Sequence, residues 1–187
     1  EITEWNEYTG QFTATEAVEI RARVSGYLTE IHFEDGQFVK QGDLLFVIDP
    51  RPFEIALASA QAQVDQQTAR LQLANQQLAR AVELRQRDVL AVSTYDERFE
   101  EVRAATGALD AARAAVRTAQ LDIEFSHVSA PMTGHISRHM VSIGNLVFGG
   151  DSATSTLLTT IVATDPIYCF FDISETDLLG CQRAAAQ

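Results

Sequence analysis

Between Phe53 and Phe125 the apolar residues recur every seven positions, while outside that stretch they alternate with polar ones over short runs. Leu57, Val64, Leu71 and Leu78 form one row, with Ala60, Gln67, Ala74 and Ala81 three places after each. A second row, Val102, Leu109, Val116 and Ile123, is followed in the same way by Ala105, Ala112 and Ala119. Both are heptad seams. They mirror each other about residue 90, which predicts an antiparallel helical hairpin over 51–126, with Leu57 beside Ile123 at its base and Leu78 beside Val102 near its tip. Pro50 and Pro52 stand where a helix tolerates proline, so the first arm is expected from about Pro52 to about Asp88. Thr94-Tyr95-Asp96-Glu97 reads as a capping box that starts the second arm at Thr94. At 1.5 Å per residue the first arm spans roughly 50 Å. A compact body of about 115 residues has a radius of gyration near ~13 Å, so the arm must protrude.

The flanks read as strands. Val18, Ile20, Ala22 and Val24 face one way, and Glu19, Arg21 and Arg23 the other. They also repeat. Gly26, Gly36 and Gly42 are separated by ten and six residues, and so are Gly134, Gly144 and Gly150, at a constant offset of 108. Glycine at turns supplies positive φ, and these six are expected to mark the turns of two equivalent halves. Each half is too small to bury a core alone. The two are therefore expected to pack face to face as a small β-sandwich over 16–50 and 127–164, with the hairpin inserted between them. Asp165-Pro166 then reads as a turn into a new apolar strand, and Ser174-Glu175-Thr176-Asp177 as a helix cap. Residues 165–187, together with a strand in 1–15, are expected to open a further, incomplete domain. The fold class is α+β.

Composition sharpens this division. Of ten glycines and four prolines only Gly107 lies between Phe53 and Phe125, a stretch that holds 17 of the 26 alanines and nine of the 14 glutamines. Gln61, Gln63, Gln66, Gln67, Gln72, Gln76 and Gln77 give the first arm polar faces with little charge, where a solvated helix more often carries Glu and Lys. That predicts lateral packing against copies of the chain. Net charge is -12 over 187 residues, with 14 Lys+Arg, so no basic surface exists to neutralise a phosphate backbone, and nucleic acid and anionic lipid are not expected partners. No apolar run approaches the length of a membrane span. The chain begins at Glu1 with no leader, which predicts that a signal peptide or lipid anchor has been removed.

Catalytic chemistry finds no constellation. His135 and His139 are four apart on a predicted strand, a spacing that does not converge on a metal as it does on a helix. Glu100 and Glu101, like Asp96 and Glu97, are adjacent on a helix and point apart. Cys169 and Cys181 are too few for a disulfide framework and too isolated for a zinc site. Neither an enzyme nor a cofactor is expected.

Four segments carry a resemblance: Arg23-Val24-Ser25-Gly26-Tyr27-Leu28, the run Asp35-Gly36-Gln37-Phe38-Val39-Lys40-Gln41-Gly42-Asp43-Leu44-Leu45-Phe46-Val47-Ile48-Asp49-Pro50, Ala130-Pro131-Met132-Thr133-Gly134-His135-Ile136, and Asp165-Pro166-Ile167-Tyr168. In these the chain resembles the periplasmic adaptors (membrane fusion proteins) of tripartite efflux pumps, the HlyD, AcrA and MexA-like group, above all those serving resistance-nodulation-division (RND) transporters. The resemblance implies a lipoyl-like, barrel-sandwich hybrid domain split by a helical hairpin, followed by the start of a β-barrel domain. It implies a non-enzymatic role in multidrug export, in the periplasm and associated with the inner membrane. Its implied partners are an inner-membrane RND transporter, an outer-membrane TolC-like channel, and other copies of the chain, a hexamer in the assembled pump. At the hairpin tip the family uses an Arg, a Leu four residues on and a Ser seven beyond that to meet the channel. These positions fall on Arg80, Leu84 and Ala91, so alanine stands where the family has serine, with Ser93 two residues late. The alternatives are an adaptor of an ABC-type exporter, a purely structural coiled-coil spacer, and a lipoyl or biotin carrier domain. A carrier needs an exposed lysine at the turn joining its halves, and here the sole lysine, Lys40, lies within the first half.

Overall fold

The computed structural model describes residues 9–87, 91–150 and 154–172. Among them run, in chain order, β1 (Gly10–Ala14), β2 (Ala17–Arg21), β3 (Gly26–Ile31), β4 (Phe38–Val39), β5 (Leu44–Ile48), α1 (Arg51–Gln86), α2 (Val92–Ser126), β6 (His127–Ser129), β7 (Gly134–Ile136), β8 (Leu146–Val147), β9 (Leu157–Val162) and β10 (Ile167–Phe171). This is an α+β, barrel-sandwich hybrid arrangement with a long helical hairpin. Of the strand expected in 1–15, β1 covers Gly10–Ala14, while residues 1–8, the Ser174 to Asp177 cap and Cys181 lie outside the described residues.

The alternation expected at Val18 to Val24 is present: Ile20, Ala22 and Val24 are buried and Val18 half-buried, while Glu19 and Arg23 are exposed. Their apolar face joins Leu28, Leu45, Phe46, Ile48, Ile136, Val147, Leu158 and Ile161 in one core drawn from both glycine repeats. The halves do not, however, each make one sheet and stack. One sheet has the order β2-β9-β7-β4 and the other β6-β5-β3-β8. Each therefore takes its central pair from one half and its outer strands from the other. Two-residue strands such as β4 and β8 have too few partners within their own half, and each finds its ladder across the repeat, Phe38 on His135 and Leu146 on Tyr27. The result interlocks.

Four of the six repeat glycines sit at positive φ: Gly36 at 82°, Gly42 at 93°, Gly144 at 88° and Gly150 at 140°. Gly26 and Gly134 do not serve as turns, contrary to expectation. Each opens a strand where another chain segment presses close: a Cβ on Gly26 would lie 2.7 Å from the Ile48 Cγ2, and one on Gly134 would collide with the Val162 carbonyl oxygen. The two classes respond oppositely to asparagine. Gly36→Asn retains the left-handed turn and costs less than Gly36→Ala. Gly134→Asn is worse than Gly134→Ala, which itself costs about 1–3 kcal/mol through overpacking. Equal rankings at the two sites in urea unfolding would refute this division.

Helix α1, 36 residues long, extends about 54 Å. It starts after Pro50 with Pro52 in its first turn, and Asp49 anchors it: Arg51 donates from Nε (2.8 Å), Nη2 (2.6 Å) and its backbone N–H to the Asp49 carboxylate. The Arg51 side chain holds the Asp49 carboxyl below the usual carboxylate range. Helix α2 begins earlier than the capping box predicts. Its N-cap is Ala91, at φ -65° and ψ 145°, with no side-chain cap, and Thr94 already lies within the first turn. A cap is worth about 1 kcal/mol. Just inside the helix the Tyr95 ring lies under the Arg85 guanidinium, 4.6 Å from its centroid, across the hairpin. Ala91→Ser should supply the missing acceptor and raise stability by about 1 kcal/mol, read as a higher melting temperature.

Candidate functional site

The hairpin's two helices hold each other through small residues. Ala74, Ala81, Ala105, Ala112 and Ala119 are buried, as are Gln67 and Leu109, and Leu57, Val64, Leu71, Leu78, Val102, Val116 and Ile123 are half-buried along the same seam. Arg98 reaches across to the Gln77 Oε1 at 3.0 Å and bonds Glu101 at 2.8 Å on its own helix. Gln67 and Gln77 thus leave the polar outer face. Gln67 has a cost: its Oε1 is enclosed with no hydrogen-bond partner. A buried acceptor left unpaired costs about 1–3 kcal/mol, so Gln67→Leu should raise the hairpin's melting temperature. A lower one would mean that the amide is satisfied in solution.

At the tip, Arg80 and Leu84 stand one turn apart on α1, both exposed, Leu84 at 42%. The Arg80 Nε donates to the Gln76 carbonyl at 3.3 Å, and among the described residues its guanidinium pairs with no carboxylate. Ala91 and Ser93 are exposed at the start of α2, on the other side of residues 88–90, which lie outside the described residues. An apolar side chain and a free cation one turn apart suit a complementary surface with an apolar contact and an acceptor beside it.

At the base, a cleft of about 480 Å³ lies between β2, β6 and the end of α2, lined by Arg21, Arg23, Phe125 and His127 among others. Its cations are already engaged. Arg21 donates to the Ser155 carbonyl (2.9 Å) and to Glu19 (2.9 Å), and the Arg23 guanidinium lies 4.9 Å from the Phe125 ring centroid. His135 and His139 have separate partners, the Gly36 carbonyl at 3.2 Å and the Asp35 carboxylate at 2.8 Å. Hydrogen bonds from the His139 side chain and backbone hold the Asp35 carboxyl below its ordinary range. Among the described residues no group of three His, Cys, Asp or Glu is placed to hold a metal ion. Lys40 is exposed in the β4–β5 turn, its N–H bonded to Asp43. Sequence reasoning missed Gly149, where a Cβ would collide with the Arg23 carbonyl; its neighbour Gly150, in phase with the repeat, masked it.

Comparison with known proteins gives this geometry its context. Two curated relatives carry the name multidrug resistance protein MdtA. That of Pectobacterium atrosepticum is 36% identical over 94% of this chain and 43% of its own length, and that of Cronobacter turicensis is 38% identical over 94% and 41%. The chain thus spans less than half the length of these relatives. A solved MacA-MexA chimera containing the Pseudomonas aeruginosa MexA α-hairpin domain superposes with a TM-score of 0.63 at 26% identity, covering 92% of this chain and 56% of the chimera. Residues 16–160 match the family described as RND MFP, barrel-sandwich hybrid domain, and span both sheets and the hairpin. The chain belongs to this family of membrane fusion proteins.

Proposed function

We propose that this chain is the central part of a non-enzymatic periplasmic adaptor that links an inner-membrane drug transporter to an outer-membrane exit channel. One observation carries the reading: a hairpin with arms of 36 and 35 residues rises from a sandwich of short strands and ends in an exposed Leu84 beside Arg80, whose guanidinium pairs with no carboxylate among the described residues. Such an arm has no role in a carrier domain, and a bare spacer does not need the interlocked sandwich. The names of the relatives point to multidrug export. Arg80, Leu84, Ala91 and Ser93 form the contact with the channel, and other copies of the chain surround it in a ring, a hexamer in the assembled pump. The transporter is of the RND class rather than an ABC exporter, a choice supported by the family description and by the Asp165-Pro166-Ile167-Tyr168 run.

The paired strands β1 and β10 begin a further domain. Phe12, Ile167, Tyr168 and Phe170 are exposed on this two-stranded ribbon, as suits a strand pair that continues into a further domain. The test is copurification of the full-length protein from membranes. An RND transporter and an outer-membrane channel should both come with it. Recovery of an ABC exporter instead would move the reading to the alternative, and recovery of neither would sink it.

A further inference from the structure

The two sheets part at the cleft beneath the hairpin. β2 and β6 are each the outermost strand of their sheet, with no partner strand on the cleft side among the described residues, and the last turn of α2 borders the gap between them. The floor of the cleft is apolar. Val18, Phe125 and Val128 are half-buried against the core, and Pro131 lines the cleft beside them. Its volume of about 480 Å³ falls within the range of small-molecule sites, roughly 300–1,000 Å³.

The charge in the cleft is unevenly committed. Arg21 directs its N–H groups to the Ser155 carbonyl and to Glu19. The stack on Phe125, by contrast, engages only the flat face of the Arg23 guanidinium. The N–H groups of a guanidinium lie in its plane, and those of Arg23, an exposed residue, donate to no acceptor among the described residues. A stacked guanidinium with a free edge is a fork held ready for a carboxylate or sulfonate. Glu19 and Glu124, both exposed, line the same cleft. They set a limit on the charge it accepts.

We propose that this cleft binds an amphipathic organic monoanion, a single carboxylate or sulfonate on an aromatic or alicyclic body. The acid accepts from the N–H edge of Arg23, and the body covers Val18, Val128 and Pro131, apolar surface otherwise left to water. A second negative charge would face Glu19 or Glu124, a repulsion that excludes nucleotides and other polyanions. A neutral analogue would forgo the pair with Arg23. A ligand so placed touches β2, β6 and the last turn of α2 together, and braces the hairpin against both sheets. The site is remote from the channel contact at the tip, and it stands whether or not the adaptor reading does.

The test uses the purified full-length protein and benzophenone-4-carboxylate, a photoreactive aromatic monoanion, with the labelled residues located by mass spectrometry. Labelling should saturate below about 1 mM and fall within 18–23 or 124–131. Excess naphthalene monosulfonate should displace it, and the naphthalene trisulfonate should not. A neutral methylbenzophenone should label the cleft at least tenfold less, the loss expected for a missing charge-assisted hydrogen bond. Arg23→Gln should cut labelling by the carboxylate as strongly. So should Ser129→Trp, which fills the cleft from an exposed position of β6, leaves Arg23 in place and suits a strand. Arg117→Gln, at an exposed arginine elsewhere on α2, should change nothing. Saturable labelling only outside the cleft, equal labelling by the neutral compound, or labelling indifferent to both cleft variants at an unchanged melting temperature overturns the site.

Discussion

Leu84→Asp is expected to abolish recruitment of the outer-membrane channel and drug export while leaving the fold unchanged. Leu84 is 42% exposed and lies off the helix seam, and a substitution at such a surface position shifts stability by no more than about 0.5 kcal/mol. In a closed contact the same change forces a carboxylate out of water opposite an apolar surface, which costs far more than one lost methyl contact. The measurements are circular dichroism for folding, and drug susceptibility with channel copurification for function. A fully active variant would remove Leu84 from the tip contact.

The second large effect is in the core. Phe46 is fully buried on β5, with the Phe33 ring edge-on to it at 5.1 Å. Phe46→Ala should destabilise by about 3–5 kcal/mol, the range for an aromatic ring removed from a packed interior. A domain holds only about 5–15 kcal/mol in all, so the change removes a large share of the total stability. Phe46→Leu should retain most of the stability. A loss below about 1 kcal/mol for the alanine variant, read from urea midpoints, would show that the ring is not a keystone of the two sheets.

The hairpin was legible because its signal is local and periodic. Heptads need only neighbours within the same helix and a mirror-image partner row, and the seam residues from Leu57 to Ile123 declare both. Its N-terminal boundary on α2 was less legible. Thr94 and Glu97 satisfy a capping pattern, but the helix starts from Ala91 without any side-chain cap, and a start of that kind leaves no mark in the residue types. The glycine repeat announced two equivalent halves without revealing how they exchange strands. That exchange depends on which short strand has an open neighbour, as with Phe38 and His135, almost a hundred residues apart. Gly26 and Gly134 looked like their four companions because sequence spacing does not distinguish a residue that turns from one that is simply crowded. At the tip, Arg80 and Leu84 were reachable only through resemblance, since an exposed Arg and Leu on a helix are unremarkable by pattern alone.

The strand exchange has a mechanical consequence. The hairpin leaves the sandwich from β5 and returns into β6, two strands paired at its root through Val47 and His127. On the other sheet β2 and β9 occupy the equivalent places, and their paired ends, Ala17 with Val162, lead into β1 and β10. The sandwich therefore offers the same socket twice, once per sheet, each gripping the two ends of an appendage side by side. A pull on the hairpin draws β5 and β6 the same way and loads the ladder between β5 and β3 in shear. Through the shared core and the exchanged strands β4 and β8, that load passes to the sheet that holds the opposite socket. The small body between two appendages is thus a coupling, stiff because neither half can move without the other.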